Sequence, residues 1–409
     1  MINRVQILNF FKNNTEFYRQ KLKEITKFAE IPLTTKDELI RSQMEYPPYG
    51  SFTDYTKNIV QTYRTSGTTN TPLLLSFTEK DIDFITEVGA ECFRHSGMGD
   101  VGNHEVVFNC LNLSMWAGGF LDAQAMMKTK VQVINFGTGN TNELIKLIRS
   151  YCNLYKVSIH CTPSYLPIID KKLRNDFQLN PSELNLHSLY LGAEGGVQNN
   201  EFRNKLIQQW NCSVFNANYG MSEVCSIMAS ADNNNILKFS DLLLHHYFIE
   251  IIDNKNNIIE QPDLKEGDTG DLVFTSLCKE SQPLLRYNTK EKIKIMSTDH
   301  HHIYFEIIGR SDDMIVYKGI NFFPEQLRHI IILFKELTGI YYIEVKQTAG
   351  IIDDINLICE LNKNIQINEN ELRNDLTIRI RHELTLSFNI RFVNNIEIKG
   401  NKHKMVEFI

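Results

Sequence analysis

The 409-residue chain has no excess of basic residues, since 43 lysines and arginines stand against 49 aspartates and glutamates, for a formal net charge of −6. That balance excludes a broad nucleic-acid-binding surface, which needs a basic patch or stripe. No apolar run approaches the ~20 residues that span a bilayer, so we expect no membrane association. The first residues, MINRVQILNFFKNNTEF, also lack the apolar core and cleavage site of a signal peptide.

Paired cysteines are also missing, because the eight cysteines are scattered and no two lie within three residues of each other. The chain therefore has no C-x-x-C pair of the kind that binds zinc. Buried thiols in a reducing compartment are the simplest explanation, so we predict a cytoplasmic protein. The length, with 42% hydrophobic and 22% charged residues, indicates a globular enzyme of two or three domains.

Apolar strands alternate with amphipathic helices from about residue 60 to residue 230, as in EVVFNCLNL, TNELIKLIRSYCNLY, VSIHCTPSY, LHSLYLGAEG and FRNKLIQQW. This alternation predicts an α/β fold with mixed or parallel sheets, whose ligands bind at the carboxyl ends of strands. Short β patterns with polar turns then indicate a small β-rich subdomain. From Gly309 the order strand, helix, strand, strand, helix, strand predicts a ferredoxin-like α+β module. We predict a domain of residues 1–308 and a C-terminal lid of residues 309–409.

A hydroxyl-rich loop, YRTSGTTNTP, runs from Tyr63 to Pro72. Five hydroxyl side chains fall within the seven residues from Thr65 to Thr71, around the single glycine Gly67. Glycine lets a backbone approach a ligand closely, and hydroxyl and amide groups bind phosphate oxygens. No second glycine followed by lysine is present as in a P-loop, so two readings stay open: another kind of phosphate-binding loop, and an ordinary turn.

Four further motifs occupy loop positions after strands. They are LGAEGG from Leu191, NYGMSE from Asn218, LLRYNTKE from Leu284 and GRSDDMIVYKGINFFP from Gly309. Together with RTSGTTNTP, in this order, they resemble the adenylate-forming (AMP-binding) superfamily. The stretches FYRQKL, LTTKDEL, CTPSY and GDLVFTSL make its phenylacetate–CoA ligase branch the nearest resemblance. Each motif is weak alone, but the ordered set is specific and covers nearly the whole chain.

The resemblance implies a nucleotide site built from these loops. It assigns nucleotide-binding roles to Ser66, Gly67, Thr68, Thr69, Gly192, Ala193, Glu194, Asn218, Tyr219, Gly220, Met221, Ser222, Glu291 and Arg310. The hydroxyl-rich loop would close on the β- and γ-phosphates of ATP, and Tyr219 would stack on the adenine. Glu223 would be catalytic as the oxygen ligand of Mg²⁺. Glu291 stands where the family has the aspartate that binds the ribose. Taken alone, these residues also fit turns, a core tyrosine, a helix-start carboxylate and a surface ion pair.

The same resemblance assigns a hinge, a thiol channel and a catalytic lysine to the C-terminal motifs. Asp312 resembles the hinge between the two domains, and Gly319 would flank the channel for a pantetheine arm. The tail IEIKGNKHKMVEFI resembles the family's last loop if Lys402 is its catalytic lysine. Lys399 and Lys404 are rival positions, and lysine-rich tails are often only solvated.

The resemblance places the acid beside NLSMWAGGF and TPSY. The candidate pocket residues are Met115, Trp116, Gly118, Thr162, Pro163 and Tyr165. The side chains of Met115, Trp116 and Tyr165 favour a flat apolar pocket for an aromatic or similarly planar acid, although each also fits an ordinary core. No carboxylate is evident in these stretches to pair an α-ammonium group, which disfavours an ordinary amino acid.

The resemblance thus implies ATP- and Mg²⁺-dependent activation of a small carboxylic acid to an acyl-adenylate, followed by transfer to a thiol. CoA is the expected acceptor, and the phosphopantetheine thiol of an acyl or aryl carrier protein is the alternative. A second alternative is a degenerate nucleotide-binding homologue, favoured by the departures Asn70, Glu291 and Asn401. A homodimer stays open. The consecutive histidines 300–302 cannot all face one ion, so a solvated turn competes there with a metal site.

Overall fold

The computed structural model describes residues 4–65, 71–100, 104–299, 301–311, 315–317, 320–324, 326–348, 351–363, 365–396 and 406–408. The chain forms two compact units, one from residues 1–137 with 216–308 and the other from residues 138–215 with 309–409. Across the described ranges, every helix is too short or too polar to cross a membrane. In those ranges none of the eight cysteines forms a disulfide.

Helices occur along the whole chain, and those at Thr141–Tyr151, Asn200–Trp210 and Glu369–Leu384 fall on segments that the sequence pattern predicts. In chain order they are α1 (Arg4–Asn14), α2 (Glu16–Lys21), α3 (Lys36–Glu45), α4 (Glu79–His95), α5 (Ala117–Met127), α6 (Thr141–Tyr151), α7 (Leu166–Lys172), α8 (Asn200–Trp210), α9 (Asp241–His246), α10 (Gln326–Ile332) and α11 (Glu369–Leu384).

The strands range from three to twelve residues, and the three longest strands of the described ranges all lie after residue 286. In chain order they are β1 (Gln61–Arg64), β2 (Leu74–Phe77), β3 (Glu105–Asn109), β4 (Gln132–Asn135), β5 (Lys156–Cys161), β6 (Ser188–Gly192), β7 (Ser213–Met221), β8 (Cys225–Ala231), β9 (Leu237–Phe239), β10 (Tyr247–Ile252), β11 (Ile258–Glu260), β12 (Thr269–Ser276), β13 (Tyr287–Thr298), β14 (Ile303–Arg310), β15 (Ile315–Tyr317), β16 (Ile320–Phe322), β17 (Leu337–Thr348), β18 (Ile351–Leu361), β19 (Asn389–Val393) and β20 (Val406–Phe408).

Strand pairing is both parallel and antiparallel. In the first unit β3 pairs with β4 in parallel, whereas β7 to β9 and β10 to β13 form antiparallel runs. In the second unit β5 pairs with β6 in parallel. The predicted α/β class, with a large mixed sheet and a β-rich part after residue 235, is therefore confirmed.

Residues 315–408 contain the six predicted elements in order, with two additional strands, β16 and β20. Strand β15 pairs with its neighbour β16, while β17 and β18 form a long antiparallel pair. Strand β19 lies parallel to β18, and β20 lies parallel to β17. Helix α11 buries its Leu372, Leu376 and Ile380 in the core of this segment, at the spacing of one helical face.

The N-terminal segment is held to β13 by Thr34. Its N–H donates to the carbonyl of Arg286 at 2.9 Å, and its own carbonyl accepts from the N–H of Asn288 at 2.9 Å. Helix α3 then starts with a capping box, because Thr35 Oγ1 accepts from Glu38 N and the Glu38 carboxylate accepts from Thr35 N. Helix α3 contacts β13, and Lys36 in its first turn lies within reach of Glu223.

Arg286 of the RYNT motif, whose carbonyl pairs with Thr34, forms a buried ion pair through its side chain. Its Nε lies 3.0 Å from Glu250 Oε2, and the two side chains are 3% and 1% exposed. Its Nη1 donates to the carbonyl of Ile31 at 2.5 Å. The arginine of this motif therefore links the N-terminal segment to β10.

Replacing Glu250 by glutamine should lower the free energy of unfolding by about 3–5 kcal/mol, because the change leaves a buried guanidinium without its counter-charge. Urea unfolding followed by circular dichroism measures this. Glu260→Gln is the matched control, since Glu260 pairs with Arg4, whose side chain is 55% exposed. This variant should lose about 1 kcal/mol or less of unfolding free energy. Equal losses in the two variants would contradict the assignment.

Candidate active site

The predicted nucleotide motif NYGMSE forms the turn of the β7–β8 hairpin. Tyr219 pairs with Ala229 and Met221 pairs with Cys225, with a register shift between the two pairs. A Cβ atom on Gly220 would lie 1.9 Å from the carbonyl oxygen of Ser226, a distance that no side chain tolerates. The glycine of the motif is therefore required because the two hairpin backbones touch there.

Glu223 lies in the connection of this hairpin with its carboxylate almost fully buried. Its Oε1 is 2.9 Å from Lys36 Nζ and accepts a hydrogen bond from the Tyr287 hydroxyl at 3.3 Å. Lys279 Nζ donates to the backbone carbonyl of Glu223 at 2.7 Å. Burial lowers the pKa of the Lys279 ammonium, and the nearby Asp81 and Glu223 carboxylates oppose that shift. Two side chains thus orient the Glu223 carboxylate, and a third fixes its backbone.

The strand before the turn places its side chains against the interior of the first unit. Tyr219 is 8% exposed and packs edge-to-face on Phe305, with ring centroids 5.3 Å apart. Asn218 Nδ2 donates to Asp122 Oδ2 of helix α5 at 2.5 Å. The Ser226 hydroxyl of β8 donates to the other oxygen of Asp122. Asp122 therefore ties both strands of the hairpin to α5.

Three of the predicted acid-pocket residues belong to this unit. Met115 has a positive φ of 55°, uncommon for a non-glycine residue, and its carbonyl accepts from Arg64 N at 2.8 Å. Trp116 forms an isolated bridge with the same Arg64, the last residue of β1. Gly118 is in the first turn of α5. The base of the hydroxyl-rich loop therefore contacts the segment predicted to hold the acid.

The hydroxyl-rich loop is closed at its base by Thr65 and Leu73. The N–H of Thr65 donates to the Leu73 carbonyl at 2.9 Å, and Thr65 Oγ1 accepts from Leu73 N at 3.1 Å. The predicted phosphate-binding residues Ser66, Gly67, Thr68 and Thr69 lie outside the described residues. Their phosphate contacts stay a prediction.

Glu291 and Arg310 both lie within the described residues. Glu291 lies in β13 beside the register shift against β12, and its N–H donates to Thr289 Oγ1 at 3.0 Å. Arg310 is the last residue of β14 and is half-buried. Their contacts with ribose and phosphate remain predictions.

The second unit contains the motif Gly192–Glu194 at the end of β6. Ala193 adopts a φ of 61°, in the left-handed region, at a loop predicted to line the adenine. Glu194 accepts hydrogen bonds from Ser164 N at 3.1 Å and from Ser164 Oγ at 2.8 Å, and it forms an ion pair with Arg328. Burial opposes ionisation, but Arg328 and Ser164 outweigh it, so the pKa of Glu194 is lowered.

The remaining predicted pocket residues, Thr162, Pro163 and Tyr165, also lie in this second unit. Thr162 precedes a single helical turn that Pro163 begins, and its hydroxyl lies 3.1 Å from Ser164 Oγ. The Tyr165 hydroxyl lies 3.0 Å from Thr141 Oγ1. The serine between them is the residue that binds Glu194, so this loop is fixed to the Gly192–Glu194 motif.

Several predicted residues fall outside the described ranges: Asp312, Gly319, Lys399, Asn401, Lys402, Lys404 and His300. Within the described ranges, His302 Nδ1 lies 2.9 Å from Asp299 Oδ2. The same ranges contain no group of three histidine, cysteine, aspartate or glutamate residues that could hold a metal ion.

Sequence reasoning missed Lys36, Arg328 and Asp122. Lys36 and Arg328 are distant in sequence from their partners, and nothing local marks them. Asp122 carries a signal, because it is the single charged residue in AGGFLDAQAMM, the whole of α5. A lone carboxylate in an apolar helix is unexpected unless it is hydrogen-bonded.

Comparison with known proteins gives a consistent family. Residues 319–409 match the family of AMP-binding enzyme C-terminal domains. The chain is 27% identical over 366 residues to the phenylacetate–coenzyme A ligase of Pseudomonas putida, covering 87% of this chain and 79% of that protein. It is 25% identical over 383 residues to the Escherichia coli K12 enzyme of the same name, covering 91% and 84%.

Solved structures agree at the level of the fold. A 2-hydroxyisobutyryl-CoA ligase in its postadenylation state, in complex with 2-HIB-AMP, superposes with a TM-score of 0.81 at 19% identity. That match covers 99% of this chain and 87% of the ligase. Together these matches support a relation to the adenylate-forming superfamily. Within that class it is similar to phenylacetate–CoA ligases, as the sequence motifs predict.

Two glycines in the first unit should respond oppositely to alanine. Gly220→Ala should unfold or strongly destabilise the protein, because the new methyl group overlaps the Ser226 carbonyl. Gly118→Ala should be neutral or stabilise the fold by about 0.5–1 kcal/mol, since a helical glycine is replaced where the nearest atom is 3.7 Å away. Thermal unfolding of both variants checks this, and a stable Gly220→Ala would contradict the hairpin geometry.

Proposed function

We propose that the protein is an acid–thiol ligase that uses ATP to convert a small carboxylic acid into an acyl-adenylate and then transfers the acyl group to CoA. The observation that carries the proposal is the buried Glu223 carboxylate, held by Lys36 and Tyr287 in the turn of the NYGMSE hairpin. The phenylacetate–coenzyme A ligases of Pseudomonas putida and Escherichia coli, which match most of the chain, support CoA as the acceptor.

The chemistry of Glu223 suits a magnesium ion. A carboxylate oxygen is the ligand that this hard cation prefers, and the hydrogen bond and ion pair fix its direction. When bound, Mg²⁺ would neutralise charge on the triphosphate. The remaining positive charge would come from Arg310 and Lys402, and donors would come from Ser66, Thr68 and Thr69.

In the first step an oxygen of the substrate carboxylate attacks the α-phosphorus of ATP. The bond from the α-phosphorus to the bridging oxygen breaks, and pyrophosphate leaves with the electron pair. The carboxylate is already a nucleophile, so the protein needs no general base. Its task is in-line positioning and stabilisation of the spreading negative charge by fixed donors and cations.

In the second step a thiol sulfur attacks the acyl carbon, AMP leaves, and the thiol proton passes to solvent. We assign the hinge to Asp312 and the border of the pantetheine channel to Gly319. Residues 309–409 would act as the ferredoxin-like lid, which the order of elements from β15 to β19 supports. Closure would exclude water from an acyl-adenylate that hydrolyses readily.

Glu223→Gln should abolish Mg²⁺-dependent exchange of pyrophosphate into ATP while the protein stays folded, because the amide is a far weaker ligand for a hard cation. The assay uses the acid that supports exchange in the unchanged protein. Glu87→Gln is the control, since Glu87 is also lysine-paired, to Lys128 at 2.8 Å, but lies on the surface of α4. Near-normal exchange in folded Glu223→Gln would refute the metal assignment.

Lys402→Ala should slow the first step by roughly 10²–10³-fold, the scale for removing one positioned electrostatic group. The second step should be spared, because the charge of Lys402 is needed only while negative charge passes between the carboxylate and the α-phosphate. The measurement pairs pyrophosphate exchange with thioester formation from a chemically made acyl-adenylate.

Variants of two nearby lysines test which lysine of the C-terminal tail is catalytic. Lys399→Ala and Lys404→Ala should leave both steps unchanged. A loss of the first step in Lys404→Ala alone would move the catalytic assignment by two residues. A first step unaffected in all three variants would favour a degenerate nucleotide-binding homologue.

A further inference from the structure

Glu360, in strand β18 of the second unit, has an almost completely buried carboxylate, with the side chain 1% exposed. Lys171 Nζ lies 3.0 Å from its Oε1, and the backbone N–H of Ile396 donates to its Oε2 at 2.8 Å. The two oxygens therefore have partners from two different parts of the chain. A buried charge is tolerated only where a counter-charge and hydrogen bonds offset its desolvation, so the contact with Ile396 depends on the contact with Lys171.

Ile396 lies at the start of the C-terminal tail. Strand β19 ends at Val393, whose backbone lies beside Glu360 in the parallel pair of β18 and β19. Three residues later the chain returns to the same glutamate, because Ile396 N donates to its side chain. Glu360 thus holds the chain twice, once through strand pairing and once through its carboxylate.

The chain is held again just after the tail lysines. Val406 of β20 pairs with Ile343 of β17. The nine residues between the two anchors, 397–405, include Lys402, the lysine assigned to the first step. Fixing both ends of a short segment lowers the conformational entropy that a side chain within it loses when it takes up its position. The anchor at Ile396 is therefore suited to prepare Lys402 for the first step.

Lys171 comes from the segment of residues 138–215, at the last turn of α7. Helix α7 begins directly after the loop of residues 162–165, which is predicted to border the acid. Its first turn packs closely on the C-terminal segment, because a Cβ atom built on Gly339 of β17 would be 3.3 Å from Pro167 Cγ. Helix α7 thus contacts the C-terminal segment twice, by packing at Pro167 and by charge at Lys171.

We propose that Glu360 is a positioning residue for Lys402, and that its hold on the tail depends on Lys171. While Lys171 pairs with Glu360, the carboxylate fixes Ile396, six residues before Lys402. When the C-terminal segment leaves α7 for the second step, the carboxylate loses this counter-charge and its hold on the tail weakens. The inference rests on the ligase function proposed above, and it links docking of the lid to presentation of the lysine.

Replacing Lys171 by methionine should slow the first step roughly tenfold, because a buried carboxylate loses its partner. The Lys171 side chain is 41% exposed and methionine keeps an apolar stem, so the protein should stay folded. The loss should fall on kcat for pyrophosphate exchange and not on KM for ATP or the acid. Thioester formation from a chemically made acyl-adenylate should keep its rate. Lys171→Arg retains the charge and should restore the first step.

Two matched controls come from the same unit. Lys172→Met changes the next residue of α7, whose 46% exposed side chain lies 3.1 Å from Asp176, and should leave both steps unchanged. Glu201→Gln removes a partly exposed ion pair with Arg379 of α11, which joins the same two segments separately from Glu360. It should also leave the first step unchanged, since exposed pairs contribute little.

Two measurements separate positioning from stability. Lys171→Met added to Lys402→Ala should lower exchange no further, because the first change acts through the second residue. Hydrogen exchange followed by mass spectrometry should show a faster Ile396 amide in Lys171→Met and not in Lys172→Met. Glu360→Gln should reproduce both results, because its amide nitrogen would face one of the two donors.

The outcomes distinguish the positioning role from the ligase function. A normal first step in folded Lys171→Met, or an unchanged Ile396 amide, overturns the positioning role. An equal loss in Glu201→Gln, or a loss that adds to that of Lys402→Ala, also overturns it, since the ion pair then only holds the lid in place. The ligase function stands in each case if Lys402→Ala alone loses the first step. Exchange that is absent from the unchanged protein, or normal in Lys402→Ala, counts against the proposed mechanism, and the positioning role falls with it.

Discussion

The close contact between Gly220 and the Ser226 carbonyl is the constraint on which the rest of the first unit depends. It draws β7 and β8 into one tight hairpin, so that Glu223 is presented in the turn and Asn218 on the strand before it. A side chain at residue 220 would separate the strands and displace both. The motif therefore combines a backbone requirement at Gly220 with a chemical one at Glu223.

A carboxylate presented in this way still needs a defined direction. Lys36 reaches Glu223 from the start of α3, and the Tyr287 hydroxyl reaches it from β13. Both partners are brought there by the pairing of Thr34 with β13, beneath which Arg286 and Glu250 are buried. Residues that are 187 positions apart in the sequence (36 and 223) therefore depend on one short stretch of backbone pairing.

Much of this fold can be predicted from local patterns. The helix start at Thr35, the strands β3, β5 and β6, and the helices α6, α8 and α11 follow from capping residues and apolar periodicity, which act over a few residues. Lys36 as a partner of Glu223, and Arg328 as a partner of Glu194, depend on tertiary docking, which no local pattern encodes. Asp122 lies between these cases: its charge is visible in an apolar helix, but its hydrogen bonds with Asn218 and Ser226 depend on tertiary packing.

Rotation of a lid would require contacts within the second unit to break. Arg328 pairs with Glu194, and Lys171 Nζ lies 3.0 Å from Glu360, whose side chain is 1% exposed. Both pairs join the segment after residue 309 to the segment of residues 138–215. Because the Glu194 pair stabilises the ionised form, its contribution is present above the ordinary glutamate pKa near 4.5 and is lost as the pH falls through the lowered value.

The central claim is that a substrate carboxylate attacks the α-phosphorus of ATP. It is tested most directly by following an isotopically labelled carboxylate oxygen through a complete reaction with ATP, Mg²⁺ and CoA. An acyl-adenylate intermediate predicts that one labelled oxygen appears in AMP, because thiol attack on the acyl carbon leaves that oxygen on phosphorus. Label found in inorganic phosphate with ADP as the other product, or thioester formed with unlabelled AMP, would contradict the account.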